Sequence, residues 1–177
     1  MGDHGKAYRT ITPDMRRRMG ELVAVADVIT PNLTEVCILL GEEFDPTPMT
    51  RDKAKTRLLK LANLGPSMVV ITGVSLASGE RLANVGYDRD KNAFWCVPCD
   101  YIPAAYPGTG DLFAALLTGG LLNGDSLPMA IARAANFVEL AIKTTFGYGG
   151  DARHGVMLEG LLSQLTHQEV FSNYQIL

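Results

Sequence analysis

The stretch AAYPGTGDLFAALLTGG, Ala104 to Gly120, sets a carboxylate between a glycine turn and an apolar run. Glycines let a backbone turn tightly and aim successive N–H groups outward. A helix beginning directly afterwards adds its own free N–H groups and the positive end of its dipole. Gly108, Thr109 and Gly110, with the N–H of Asp111, therefore make a candidate anion hole suited to phosphate. It is not a P-loop, because the chain has no G-x-x-x-x-G-K-[ST]. Asp111 has two readings. As a base it would take a proton from a hydroxyl attacking phosphorus while the N–H groups hold the transferred charge. As an ordinary first-turn acid it would only cap the helix. The local pattern weighs the two equally.

A second cluster is Thr30-Pro31-Asn32-Leu33-Thr34-Glu35. Asn32 followed three residues later by Glu35 reads as a capping box. The alternative gives Glu35 a hard cation and Asn32 a phosphate. Spacing alone favours the cap. The first residues, MGDHGKAY, form a polar glycine-rich turn with Asp3, His4 and Lys6, which by itself reads as a loose terminus. Cys96-x-x-Cys99 has the spacing of a redox or zinc half-site. No second such pair exists, and His4, His154 and His167 are not spaced to complete one. The pair reads as two ordinary reduced cysteines near a strand end.

These residues need elements to position them. Pro13 to Val25 reads as a helix with a basic face, and Val28 to Thr30 as a short buried strand. Leu33 to Leu40 is helical until Gly41. Thr50 can cap the next helix, whose apolar positions Ala54, Leu58, Leu61 and Ala62 keep helical spacing until Gly65-Pro66. Met68 to Thr72, MVVIT, is a continuous β-branched run, the mark of a central parallel strand. Leu82 to Tyr87 and Ala93 to Val97 flank a polar turn and read as a hairpin. Helices follow at Leu112 to Leu122, Leu127 to Phe146 and near Leu158 to Leu165. The order implies one α/β domain, 1–177, with a mostly parallel three-layer sheet, helices on both faces and an antiparallel edge hairpin. Ligands in such folds bind at the carboxyl ends of strands, where Thr30 to Asn32, Thr72-Gly73 and Pro107 to Asp111 all fall.

The bulk composition excludes several classes. With 177 residues, 47% hydrophobic and a net charge of -3, the chain can bury a core and is ill suited to nucleic acid. Lys53, Lys55, Arg57 and Lys60 cluster at helical spacing, as a solvated face does. No apolar run is long enough for a membrane span, and a cytoplasmic location is the expectation.

Taken together the pieces resemble the pyridoxal/pyridoxamine kinases of the ribokinase superfamily. ADVITPNLTE (Ala26 to Glu35) is similar to the family's A-D-[IV]-I-T-P-N-x-x-E. VVITGV (Val69 to Val74) resembles its nucleotide-side strand. GTGDLFAALLTGGLLNGDSLPMAI (Gly108 to Ile131) resembles its G-[AT]-G-D signature, and MGDHGKAY the end of its D-P-V-M-G-D-x-G-x-x-Y.

The resemblance implies ATP-dependent phosphorylation of the 5′-hydroxymethyl group of a B6 vitamer. Asp111 would be the base, and Gly108, Thr109 and Gly110 would hold the transferred phosphoryl group. Asn32, Thr72, Gly73 and Asp3 would lie along the ATP, and Glu35 and Thr30 in a cation site. The implied cofactors are ATP and Mg2+, with K+ as a monovalent companion. Hydroxymethylpyrimidine kinases are the alternative, though they often carry cysteine at the position of Asp111. A non-catalytic nucleotide-binding fragment is a third reading. The match covers only the carboxy-terminal portion of the family, the ATP half with the base. The partners expected are therefore a vitamer, ATP, and either a second copy of this chain or the family's amino-terminal segment.

Overall fold

The structure is a computed structural model that describes residues 1–77, 82–149, 152–165 and 174–177. A small hairpin opens the chain. β1 (Gly2–Asp3) pairs antiparallel with β2 (Lys6–Ala7), and His4 and Gly5 make the turn at φ of 48° and 76°. α1 (Pro13–Val23) starts with proline behind Thr12, whose hydroxyl accepts the Met15 N–H. It stops two residues earlier than the sequence reading. β3 (Val28–Ile29) leads into α2 (Leu33–Leu40), which is bounded by Asn32 and by Gly41 at φ 64°. α3 (Arg51–Ala62) is capped by Thr50, which accepts the Lys53 N–H. β4 (Met68–Ser75), β5 (Leu82–Asp88) and β6 (Ala93–Pro98) follow, then α4 (Thr109–Leu122) and α5 (Leu127–Tyr148), and last β7 (Gln175–Ile176).

The main sheet has the order β3-β4-β5-β6-β7. β3 runs parallel to β4, with Val28 opposite Met68, because α2 and α3 form the crossover between them. β5 is antiparallel to β4, and β7 to β6. The α/β layout and the hairpin are as the sequence implies, and the described sheet is mixed. The connections from β4 to β5 and from β5 to β6 are too short for a crossover, so β5 must reverse against β4. In the segment near Leu158 to Leu165 the chain forms a 3-10 helix, Glu159–Leu165, with no buried residue. Its leucines, Leu161, Leu162 and Leu165, are not buried, so no packed face holds a longer α-helix in place.

The chain forms two compact units, one of Met1–Cys96 with Gln175–Leu177 and one of Val97–Tyr174. In the first, Val69, Ile71 and Val74 of β4 and Ala83, Val85 and Tyr87 of β5 bury one sheet face in a core with Leu58 and Leu61 of α3 and Val36 of α2. Tyr87 stacks on Phe94 of β6 with ring centroids 4.5 Å apart, which pins the hairpin register. In the second unit, α4 and α5 pack together. They bury Phe113 and Leu117 of the first helix and Leu127, Ile131 and Phe137 of the second.

Candidate functional site

In the second unit, Gly108 is the N-cap of α4 and adopts φ 87°, a left-handed conformation that glycine reaches without strain. The Leu112 N–H makes the first turn's bond to the Gly108 carbonyl at 2.9 Å. The N–H groups of Thr109, Gly110 and Asp111 therefore have no acceptor within the helix. The Thr109 hydroxyl is turned back and donates to the Tyr106 carbonyl at 3.1 Å. A Cβ built on Gly108 or Gly110 would meet no atom within 4 Å, so the space before the turn is open. Asp111 is exposed, and among the described residues neither a hydrogen-bond donor nor a cation meets its carboxylate. A cap closed by the Asp111 side chain is thus not what this turn uses. A free carboxylate beside unpaired N–H groups has the chemistry of a base facing an anion hole.

In the first unit, the carboxyl ends of β3 and β4 lie side by side. Asn32 and Thr72 form a parallel bridge, and the Thr72 N–H donates to the Pro31 carbonyl at 3.0 Å. Gly73 follows at φ 63°. Asn32 and Glu35 form the expected capping box. Asn32 Oδ1 accepts the Glu35 N–H at 2.9 Å, and Glu35 Oε2 accepts the Asn32 N–H at 3.0 Å. Asn32 Nδ2 also donates to the Gly2 carbonyl at 2.9 Å. The Thr34 hydroxyl accepts the Gly5 N–H at 2.9 Å. The opening residues are therefore a hairpin docked on the start of α2, not a loose terminus. Asp3 lies exposed on it, accepting the His4 N–H at 2.8 Å. Thr30 is half-buried just past β3.

This unit brings Asp3, Thr30, Asn32, Glu35, Thr72 and Gly73 to one rim, while Gly108 to Asp111 belong to the other unit. Sequence reasoning missed Thr34, which ties down the hairpin, and Asn84 in β5, whose Oδ1 accepts the Gly73 N–H at 3.1 Å. The signal for Asn84 was a lone amide within the apolar strand LANVGYD.

Among the described residues no three His, Cys, Asp or Glu side chains converge. Of the Glu35 oxygens, one holds the Asn32 N–H and the other meets the Met1 nitrogen. Among the described residues the cysteines join no cluster of metal-ligating side chains. Burial pushes the Cys37 thiol up despite the nearby Arg57, Cys96 is also buried, and His167 lies outside the described residues.

Parallel strand ends meeting a helix cap, and a helix opened by glycine, are features of an α/β protein, a class in which ligands bind at the carboxyl ends of strands. The chain belongs to the phosphomethylpyrimidine kinase family, whose profile matches residues 6–157. A pyridoxal kinase of Rubrobacter xylanophilus is 32% identical over 151 residues, 84% of this chain and 50% of that protein. A hydroxymethylpyrimidine/phosphomethylpyrimidine kinase of Bacillus subtilis is 32% identical over 129 residues, 72% of this chain and 45% of that protein. A Bacteroides thetaiotaomicron protein described as a phosphomethylpyrimidine kinase, in a crystal form with pyridoxal, matches at a TM-score of 0.93 and 40% identity. That match covers 100% of this chain and 62% of the other. The resemblance to pyridoxal kinases of the ribokinase superfamily is borne out. The chain spans about half the length of the curated relatives it matches. Among the described residues no helix is long and apolar enough to cross a membrane.

Proposed function

We propose that this chain carries the ATP-handling part and the base of a kinase that phosphorylates the 5′-hydroxymethyl group of a B6 vitamer. Residues 1–177 act in this reading as one domain in the cytoplasm. The observation that carries it is the exposed, unpartnered Asp111 carboxylate beside the free N–H groups of Thr109 and Gly110. Asp111 takes the hydroxyl proton as the oxygen bonds to the γ-phosphorus of ATP. The bond from that phosphorus to the β,γ-bridging oxygen breaks, and ADP leaves. The N–H groups of the turn and the α4 dipole hold the charge on the transferred phosphoryl oxygens. Mg2+ enters only as the companion of the ATP phosphates, which need few protein ligands around it.

Asn32 has one side-chain N–H beyond the one on Gly2, and that is the group proposed to reach a phosphate. Thr72 and Gly73 flank the nucleotide. The vitamer-holding groups are proposed to come from a second copy of the chain or from the family segment that this sequence does not span. The 40% identical structure crystallised with pyridoxal favours a B6 vitamer. The family description and the Bacillus relative favour hydroxymethylpyrimidine as the second reading.

The test is ATP binding by calorimetry and pyridoxal 5′-phosphate formation by absorbance, with pyridoxal and hydroxymethylpyrimidine in competition. Asp111→Ala should keep the fold and ATP binding and lose transfer. A variant that transfers at the wild-type rate removes Asp111 from the role of base.

A further inference from the structure

α5 buries a hydroxyl near its carboxyl end. Thr145 is 1% exposed, and its donation to the Ala141 carbonyl at 2.8 Å already satisfies its proton. A hydroxyl keeps acceptor capacity beyond that bond, and here it is used outside the helix. The Met157 N–H donates to Thr145 Oγ1 at 2.8 Å. Two residues earlier, the Gly155 N–H donates to the Ala152 carbonyl at 3.3 Å. The backbone from Gly155 to Met157 is thus tied at both ends.

That backbone lies beside the start of α4, within the same unit. Gly155 has φ 74°, a conformation that favours glycine, and a Cβ built on it would come within 3.2 Å of the Pro107 carbonyl oxygen. Pro107 directly precedes Gly108, which brings no capping side chain to α4. The geometry of this helix start is therefore set by other contacts. One is the Thr109 hydroxyl, which ties back to the carbonyl of the buried Tyr106. The other is the Gly155 backbone against Pro107. Backbone N–H groups stabilise an anion best when their directions are fixed before it arrives.

We infer that Thr145 is a positioning residue for the turn at Gly108: through the Met157 N–H it holds Gly155 against Pro107, and so fixes the direction of the free N–H groups that follow. This rests on the proposed reading of that turn as an anion hole. Thr145 touches no anion itself and acts only through the backbone it holds.

The experiment compares the full chain with Thr145→Val, Thr145→Ser, Gly155→Ala and Gly160→Ala. Inorganic tripolyphosphate is titrated by calorimetry well below every melting temperature. Amide exchange is followed at Leu112, whose N–H closes the turn on the Gly108 carbonyl, with Ala134 inside α5 as the reference. Thr145→Val should quicken Leu112 exchange relative to Ala134 and weaken tripolyphosphate by roughly tenfold. Thr145→Ser keeps the acceptor and should restore both. Gly155→Ala crowds Pro107 and should weaken tripolyphosphate even if Thr145→Val fails to fold. Gly160→Ala adds a methyl to the same segment where nothing lies within 4 Å, and should match wild type. A folded Thr145→Val chain with wild-type affinity, or Gly155→Ala with wild-type affinity, would overturn the inference. If wild type binds no tripolyphosphate, the anion reading of the turn fails. Unchanged Leu112 exchange in Thr145→Val would then overturn the positioning as well, and quickened exchange would uphold it.

Discussion

Asn32 and Thr72 meet in a parallel bridge that keeps the register of β3 on β4. The offset from Val28 to Met68 is 40 positions (68 − 28), and from Asn32 to Thr72 it is again 40 (72 − 32). The cap of α2 and the bulge of β4 are therefore held against each other by backbone pairing across Pro31. Asn32 adds two separable ties, Oδ1 to the Glu35 N–H and Nδ2 to the Gly2 carbonyl. Asn32→Asp should keep the first and lose the second. Asn32→Ala should lose both and be the less stable of the two by about 1 kcal/mol, the usual worth of an N-cap. Urea unfolding measures the difference. Equal stabilities would mean that Asn32 does not stabilise α2 as a cap.

Glu42 and Arg57 predict an acid limb in the stability profile. The Lys60 ammonium, hydrogen-bonded to Glu42 Oε1 at 2.7 Å, and the Arg57 Nε–H, donated to Oε2 at 3.0 Å, hold this carboxyl below its usual range against a smaller burial effect. A carboxyl depressed in the folded chain stabilises it fully above the unfolded pKa, about 4.3, and loses that contribution as pH falls through the folded value. Glu42→Gln should flatten the decline in unfolding midpoint below about pH 4.5. At pH 7 it should cost about 1–2 kcal/mol, because the Arg57 guanidinium, 4% exposed, loses its carboxylate while Glu42 itself is partly solvated. Arg57→Met removes the buried charge itself and should cost less than Glu42→Gln. The comparison is made by thermal melts at pH 3 to 7, and an unchanged acid limb in Glu42→Gln would remove the assignment.

Thr145 joins α5 to the segment after it. It is 1% exposed, its hydroxyl donates to the Ala141 carbonyl at 2.8 Å, and it accepts the Met157 N–H at 2.8 Å. Thr145→Val keeps the shape and leaves that N–H without its acceptor, at a cost of about 1–3 kcal/mol. Thr145→Ser retains both bonds and should stay closer to wild type. Amide exchange at Met157 should quicken in the valine variant only. If serine and valine exchange alike, the hydroxyl is not what holds the segment.

Local chemistry made much of this legible. The Asn32–Glu35 box, Gly41 after α2, the Thr50 cap and the glycine-opened start of α4 depend on a few neighbouring residues. Each falls where its residue types dictate. What the sequence hid depends on long-range pairing. The opening hairpin is held by Thr34 and Asn32, about 30 positions away, and β7 exists because Gln175 and Ile176 pair with Cys96 and Trp95. The partner of Asn84 appears only once a bulge has shifted the β4–β5 register. MVVIT reads as a parallel strand, and β4 is parallel to β3 but antiparallel to β5, because a continuous apolar run reports burial and not the direction of each neighbour.

Gly110 separates stability from function at the helix start. It is the second residue of α4, and a Cβ there would meet nothing within 4 Å. Alanine at a helical position loses less conformational entropy than glycine, so Gly110→Ala should stabilise the chain by about 0.5–1 kcal/mol. The same methyl would project into the open space before the turn, where the transferred phosphoryl group is proposed to sit. Tripolyphosphate affinity should therefore fall while the melting temperature rises. Gly108→Ala is the control, since at φ 87° a side chain is strained and the melting temperature should fall instead. Calorimetry and thermal unfolding of the two variants measure both quantities. A Gly110→Ala chain that melts higher and binds tripolyphosphate as well as wild type would mean that the anion does not approach this turn.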